Sequence, residues 1–224
     1  MKGFDPGQAI SYGWEQFKKN AGIMILAIII IWLFGYLLSF ISHKIYKQNE
    51  TAAILLNYLF MIFNMGLTLG HFKVYLNIID GKKASVWDLF SQYDLLLKYI
   101  ASSFLYGIII TVGLILFIVP GIIWGIKYSL FPYFLIDLRC GPIEALQYSS
   151  KTTYGGKTDL LVLAVALMAV NILGLLACCV GLLVAVPVSM MAHVYAYRIL
   201  ASQTYPAPEP ETMDERPEYE PESF

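Results

Sequence analysis

The sequence predicts an all-α polytopic membrane protein, a bundle of six transmembrane helices with three cytoplasmic interfacial amphipathic helices. Hydrophobic residues make up 58% of the 224 residues and charged residues only 14%, against about 25% charged residues in an ordinary soluble domain. A soluble fold of this size has no interior large enough to bury that much apolar surface. The apolar runs are continuous and do not alternate with polar residues, which excludes a transmembrane barrel and leaves helices.

Six apolar runs have the length of membrane spans, because a hydrocarbon core about 30 Å thick is crossed by about 20 helical residues. The fourth run is close to the minimum length and is interrupted by Pro132. Pro120-Gly121 and Gly181 predict short turns after the third and fifth runs. The predicted spans cover residues 21–42, 52–79, 99–119, 122–138, 160–180 and 182–202.

The distribution of Lys and Arg predicts the orientation in the membrane. With the N-terminus in the cytoplasm, 11 of the 15 Lys and Arg residues lie on the inner side. Only Lys44 and Lys47 lie on the outer side, while Lys73 and Lys127 fall within helices. Cytoplasmic loops carry an excess of positive charge, so we expect both termini in the cytoplasm.

The chain divides into a membrane domain, residues 1–204, and an acidic tail, residues 205–224. The tail carries seven acidic residues and one basic residue and is rich in Pro and Glu. It cannot bury a core and is expected to be disordered in the cytoplasm. A solvated tail is the default interpretation, and binding of a partner protein is the alternative. Nothing in the charge pattern indicates a nucleic acid partner.

Three segments with helical apolar stripes precede the odd-numbered spans: residues 6–18, 85–97 and 142–153. Pro6 and Pro142 suit the first position of a helix, and Ser85 followed by Asp88 indicates a capping box. Each segment is expected to be a helix near the membrane plane, and the three are interpreted as three parallel units of surface helix plus hairpin. The predicted membrane-interface residues are Trp14, Phe17, Trp87 and Phe90, of which Trp14 and Phe90 are expected to be buried.

Several short motifs resemble those of a known group of proteins. They are Ile118-Val119-Pro120-Gly121-Ile122, Tyr128-Ser129-Leu130, Gly141-Pro142-Ile143-Glu144-Ala145-Leu146 and Tyr197-Arg198. Over roughly residues 100–202 the chain resembles prokaryotic multi-pass proteins that include YciC-like proteins and the membrane domain attached to some glycerophosphodiester phosphodiesterases. The resemblance implies a helical membrane fold in a prokaryotic inner membrane. It carries over no catalytic residue, and no phosphodiesterase domain is present to imply that activity.

Three polar residues within the spans are candidates for ligand binding: Lys127, His71 and His193. Charged and ionisable groups inside a membrane are functional hypotheses by default. For Lys127 the alternative is a side chain that reaches toward the outer headgroups. For the two histidines the alternative is hydrogen bonding between helices. No carboxylate accompanies them at ligand spacing, so no metal site and no cofactor are predicted.

Other motifs are given structural interpretations. Gly155-Gly156-Lys157-Thr158 lacks the first glycine of a phosphate-binding loop, since residue 151 is lysine. The pairs Gly66/Gly70 and Gly121/Gly125 predict close helix packing. Asp137 is expected at a membrane edge near Arg139. No catalytic set of residues is evident, so the chain is not expected to be an enzyme.

The function predicted from the sequence is a non-enzymatic scaffold, accessory or envelope-related membrane protein. Its partners would be the lipid bilayer and proteins that bind the cytoplasmic helices or the tail. The alternative is a small-solute transporter or channel lined by the three candidate residues. A third hypothesis is lipid binding at the amphipathic helices. A shared polar cavity around Lys127, His71 and His193 would favour the transporter.

Overall fold

The computed structural model describes residues 3–46, 49–177 and 181–205, and within these ranges the chain is helical and contains no strand. Six of its helical stretches are long and apolar enough to cross a membrane. Two short 3₁₀ helices, Val86–Phe90 and Tyr93–Leu95, precede the third span. The α-helices are α1 Pro6–Tyr46, α2 Glu50–Ile79, α3 Leu96–Leu116, α4 Ile118–Tyr128, α5 Phe131–Leu138, α6 Pro142–Thr152, α7 Lys157–Leu176 and α8 Leu182–Thr204.

The bundle is built around α1, α2, α5 and α8. Helix α1 packs along both α2 and α8, α3 pairs with α4, and α7 pairs with α8. The short helix α5 contacts α2, α3 and α6, and most of its side chains are buried. The largest fully buried side chains include Tyr75, Tyr133, Leu135, Met191 and Tyr197. The core therefore lies where α2, α5 and α8 meet.

The two ends of the described chain lie side by side. The backbone N–H of Gly3 donates to Gln203 Oε1 at 3.1 Å, and Gln203 Nε2 donates to the Gly3 carbonyl at 2.9 Å. The N–H of Phe4 donates to Asp159 Oδ2 at 3.2 Å. These contacts bring the starts of α1 and α7 and the end of α8 to one end of the bundle, as an even number of spans requires. We call it the charged end and define it by Asp80, Asp137 and Arg198.

The first amphipathic segment is the start of α1. Residues 6–18 are helical and begin at Pro6 as predicted, but they run into the first span through a bend at Asn20 (φ −123°, ψ 18°). Ala9 and Phe17 are buried, and a methyl group at Gly13 would stand 2.6 Å from the carbonyl oxygen of Val188 in α8. This segment therefore packs on α8 along one face.

The second segment is not the single α-helix expected for residues 85–97. The capping box is confirmed: Ser85 N–H donates to Asp88 Oδ2 at 2.8 Å, and Ser85 Oγ accepts from Trp87 N–H at 3.3 Å. The segment then forms two separate 3₁₀ turns. Asp88 also accepts a hydrogen bond from Asn77 Nδ2 of α2 at 2.9 Å. The conformation of the segment depends on its attachment to α2, and the periodicity of the sequence does not reveal this attachment.

The third segment is a separate helix, α6, which begins at Pro142 as predicted. It packs on α3, α4 and α5. The three segments thus have three different conformations, and the interpretation as three equivalent units is not confirmed. Trp14 and Phe90 are 47% and 38% exposed on the chain, so they are not buried within the protein, and their burial in the membrane stays a prediction.

The fourth span is broken into α4 and α5 at Ser129 and Leu130. Pro132 stands at the start of α5, where its missing N–H and the clash of its ring with the preceding turn prevent one continuous helix. The predicted span of residues 122–138 starts too late, because α4 begins at Ile118 and holds Pro120 in its first turn.

Glycine pairs close two of the hairpins. In the α3/α4 hairpin, a methyl group at Gly113 would stand 2.9 Å from the Cα of Gly121. In the α7/α8 hairpin, a methyl group at Gly174 would stand 3.1 Å from backbone atoms of Gly181. In both hairpins, therefore, the backbones of the two helices are in direct contact at the glycine pair.

Candidate functional site

A network of ion pairs joins three helices at the charged end. Arg198 of α8 bonds through Nη1 to Asp137 Oδ2 at the end of α5. Its Nη2 atom donates to Asp80 Oδ2 after α2 at 2.9 Å and to Asp137 Oδ1 at 3.3 Å. Tyr197 OH donates to Asp137 Oδ2 at 2.7 Å, and Lys82 lies 3.7 Å from Asp80. One guanidinium thus connects the ends of α2 and α5 to α8.

Asp137 and Arg139 are close in the sequence but form separate ion pairs. Arg139, which has a positive φ of 49°, forms its ion pair with Asp94 of the second 3₁₀ helix. Lys98 Nζ donates to the Arg139 carbonyl at 2.8 Å. The left-handed residue ends α5, and its side chain points to the second 3₁₀ helix, whereas the Asp137 side chain faces α8.

An aromatic cluster extends from this network into the core. The Tyr133 ring lies 5.0 Å from that of Tyr197 and 5.4 Å from that of Phe72. Tyr133 OH and His193 Nδ1 share a hydrogen bond at 3.0 Å. The prediction that His193 makes a local hydrogen bond between helices agrees with this contact.

His71 of α2 is buried but makes no hydrogen bond through Nε2 to the described part of the chain. Its ring contacts that of Tyr75 edge-on at 4.8 Å, and Tyr75 OH is likewise buried with no partner in the residues described. The predicted hydrogen bond of His71 is therefore not observed at Nε2. His71 is thus buried on α2 beside Tyr75, whereas His193 of α8 contacts Tyr133 of α5.

Lys127 does not join the histidines. It lines a groove of about 370 Å³ with Ile108, Ile109, Val112, Trp124 and Tyr128, on the outer face of the α3/α4 hairpin. Its ammonium lies 5.0 Å from the ring centroid of Tyr128. The three candidate ligand residues thus occupy two separate environments.

The backbone of Lys127 has a structural role at the break between α4 and α5. Its carbonyl accepts hydrogen bonds from Ser149 Oγ and Thr153 Oγ1, both at 3.0 Å. Ser149 Oγ also accepts from Leu130 N–H at 3.1 Å. An interrupted span leaves backbone groups that must find partners inside a membrane. Here α6 and the residue after it supply those partners, a role that amphipathic periodicity did not predict.

We expect Ser149→Ala to lower the free energy of unfolding by about 1–3 kcal/mol, because it leaves the buried Leu130 N–H without an acceptor. The matched control is Ser150→Ala, since the Ser150 hydroxyl makes no hydrogen bond within the described chain. Thermal unfolding of the detergent-solubilised variants measures the difference. Equal stability of the two variants would contradict this account of the break.

The four predicted interface residues have different surroundings. Phe17 belongs to the core, whereas Trp14, Trp87 and Phe90 are exposed. Phe90 stacks against Tyr93 at 6.5 Å and Trp14 against Phe17 at 5.8 Å. Contact of the exposed rings with lipid stays a prediction.

Groups of three or more metal-ligating side chains are absent from the part of the chain that the structure describes. Cys140 lies 3.8 Å from the Phe134 carbonyl, and burial raises the pKa of its thiol. Cys178 and Cys179 lie outside the described residues, as does the acidic tail after Tyr205.

Comparison with known proteins finds relatives of unknown function. The chain is 25% identical to the uncharacterised proteins Rv2560 of Mycobacterium tuberculosis (strain H37Rv) and Mb2590 of Mycobacterium bovis. Each alignment has 226 positions and covers 89% of this chain and 69% of the mycobacterial protein. No family model and no solved structure matches. The chain is thus similar to uncharacterised bacterial proteins.

Proposed function

We propose that the chain is a non-enzymatic scaffold or accessory protein of a prokaryotic inner membrane, with the charged end and both termini in the cytoplasm. The observation that carries the proposal is the Arg198 network, which fixes the ends of α2, α5 and α8 relative to one another. A scaffold that binds partner proteins needs a surface whose helices keep fixed positions relative to one another. The excess of Lys and Arg supports its cytoplasmic orientation.

Exposed apolar side chains lie near the charged end, which this proposal places in the cytoplasm. Trp87 is 79%, Leu97 81% and Tyr154 73% exposed. Lys83, Lys98 and Lys157 are their neighbours in the sequence. Aromatic rings beside basic residues suit the headgroup region of anionic lipids. We assign this surface to contact with the inner leaflet and with partner proteins, and the acidic tail to a second contact.

The transporter is the second candidate. The break in the fourth span favours it, because interrupted helices expose backbone groups to substrates in many transporters. In this chain, however, Ser149 and Thr153 already bond the carbonyl of Lys127 at the break. Lys127 also lies apart from His71 and His193, so the three side chains do not line one path.

A labelling experiment separates the two functions and tests the orientation. Single cysteines replace His71, His193, Thr51 and Lys83 in a chain from which the native cysteines have been removed. With a membrane-impermeant maleimide on intact cells, we expect Thr51→Cys to react at once and Lys83→Cys only after permeabilisation. His71→Cys and His193→Cys should react in neither condition, because both sites lie in the closed core. Rapid labelling of both histidine positions would support a water path and overturn the scaffold.

Photo-crosslinking tests the scaffold directly. Crosslinkers at Trp87 and Tyr154 in native membranes should capture proteins at defined masses. A crosslinker at Leu33, 61% exposed on α1, should capture lipid only. Exclusive capture of lipid at all three positions would overturn the scaffold.

A further inference from the structure

A groove runs between α1 and α2 in the half of the bundle remote from the charged end. It has two adjoining parts of about 380 and 220 Å³, which share Ser39 and Asn57. The deeper part is lined by Gly35, Asn64 and Thr68 among others. Ser39, Asn57 and Met61 are exposed, so the groove opens sideways, toward the lipid in a membrane.

Three polar side chains of this groove lack partners within the described chain. The amides of Asn57 and Asn64 and the hydroxyl of Ser39 make no hydrogen bond to it, whereas Thr68 donates to the Asn64 carbonyl at 2.9 Å. Elsewhere in the bundle an amide within a span is bonded: Asn171 donates to Leu167 O at 2.7 Å and to Ser189 Oγ at 2.8 Å. Unpaired amides are unfavourable in hydrocarbon. The groove therefore leaves these groups available to a polar partner from another molecule.

The depth of Asn64 excludes a lipid headgroup as that partner. At about 1.5 Å per residue, Asn64 lies ~21 Å from Glu50 and ~24 Å from Asp80, near the middle of α2. The helix is ~45 Å long, comparable to the whole bilayer with its headgroups. The amide is then ~15 Å from either headgroup layer, and acyl chains offer it no hydrogen bond. A helix with a polar group at the same depth can supply that hydrogen bond.

We propose that a second copy of this chain fills the groove, forming a homodimer in which Asn64 meets Asn64 and Asn57 meets Asn57. The membrane gives both copies the same orientation, so their twofold axis lies along the bilayer normal and residues of equal depth meet. An amide is both donor and acceptor and is therefore complementary to its own copy.

The shape of the groove fits this partner. Asn57 and Asn64 are seven residues apart and share one face of α2. A methyl group at Gly35 would meet only Asn64 Nδ2, at 3.8 Å. With Ser39 one turn further along α1, this leaves room for a close approach of another helix. The dimer surface lies on the opposite half of the bundle from the Arg198 network and is independent of the scaffold proposal.

Disulfide crosslinking in native membranes tests the contact. Asn57→Cys and Asn64→Cys, each in the full chain without native cysteines, should give covalent dimers on mild oxidation. Met168→Cys is the matched control, because Met168 is exposed in the central part of α7. It should remain monomeric. Equal crosslinking at all three positions, or at none, would overturn the dimer.

The double variant Asn57→Leu/Asn64→Leu tests the role of the amides. We expect dimerisation in detergent to weaken at least about tenfold, as measured by light scattering over a range of concentrations. Met168→Leu should dimerise like the parent chain. Thermal stability at high dilution should not fall, because neither amide bonds to its own chain. A parent chain that is monomeric throughout, or a double variant with unchanged affinity, would contradict the proposal.

Discussion

Replacing Gly70 by alanine is expected to prevent normal docking of the 3₁₀ segment on α2. A methyl group at Gly70 would stand 2.0 Å from the carbonyl oxygen of Leu89 and 2.4 Å from its carbonyl carbon. Backbone atoms cannot move aside by changing rotamer, so α2 and the segment must separate. We expect the free energy of unfolding to fall by ~3 kcal/mol, the upper end of overpacking in cores.

Two other glycines of the spans provide matched controls for Gly70→Ala. A methyl group at Gly66 would meet the ring of Tyr93 at 2.5 Å, and this side chain moves at the expense of its hydrogen bond to the Phe63 carbonyl. A methyl group at Gly107 meets nothing within 4 Å, so Gly107→Ala should stay within about 1 kcal/mol of the parent chain. The expected order of thermal stability in detergent is Gly107→Ala, then Gly66→Ala, then Gly70→Ala. Equal stability of the Gly70 and Gly107 variants would contradict the docking.

Replacing Arg198 by alanine is expected to release α5 and α2 from α8 at the charged end. Asp80 and Asp137 would lose their shared cation while their side chains are only 25% and 19% exposed. Bonds to charged groups in such surroundings contribute ~2–3 kcal/mol. We expect the free energy of unfolding in detergent to fall by that amount, while Tyr197 keeps its hydrogen bond to Asp137.

The matched control for Arg198→Ala is Arg139→Ala. Its ion pair with Asp94 has the same chemistry but is exposed, at 58% and 51% for the two side chains. Exposed ion pairs contribute about 0–1 kcal/mol to stability. The free energy of unfolding of this variant should therefore be close to that of the parent chain. The triple variant Asp80→Asn/Asp137→Asn/Arg198→Leu removes the unpaired charges and should recover part of the loss. If the Arg139 variant is as destabilised as the Arg198 variant, the network does not join the helices.

The spans could be predicted from the sequence, because the free energy of transfer into lipid depends on each apolar run separately. Local chemistry was predictable for the same reason: the capping box of Ser85 and Asp88 and the helix starts at Pro6 and Pro142 depend on neighbours in the chain. The second amphipathic segment was not predictable, because its 3₁₀ turns fit the surface of α2 at Gly70.

The candidate site could not be predicted in the same way, because its residues pair with partners that are far away in the sequence. Arg198 and Asp80 are 118 residues apart in the sequence, and nothing near either residue indicates the pairing. Asp137 was expected near Arg139, but the two side chains bind different partners on either side of the left-handed turn at Arg139. His193 was identified, whereas its partner Tyr133 was missed, since one tyrosine among 16 carries no signal of its own.

The break in the fourth span also has a consequence for the order of biosynthesis. Helix α4 has 11 residues and α5 has eight, about 16 and 12 Å, so neither half crosses the hydrocarbon core alone. Ser149, which bonds the backbone at the break, is synthesised 19 residues after Leu130. The broken span therefore leaves the ribosome before α6 does. We expect this segment to stay in a water-accessible or protein-lined site of the insertion machinery until α6 has emerged.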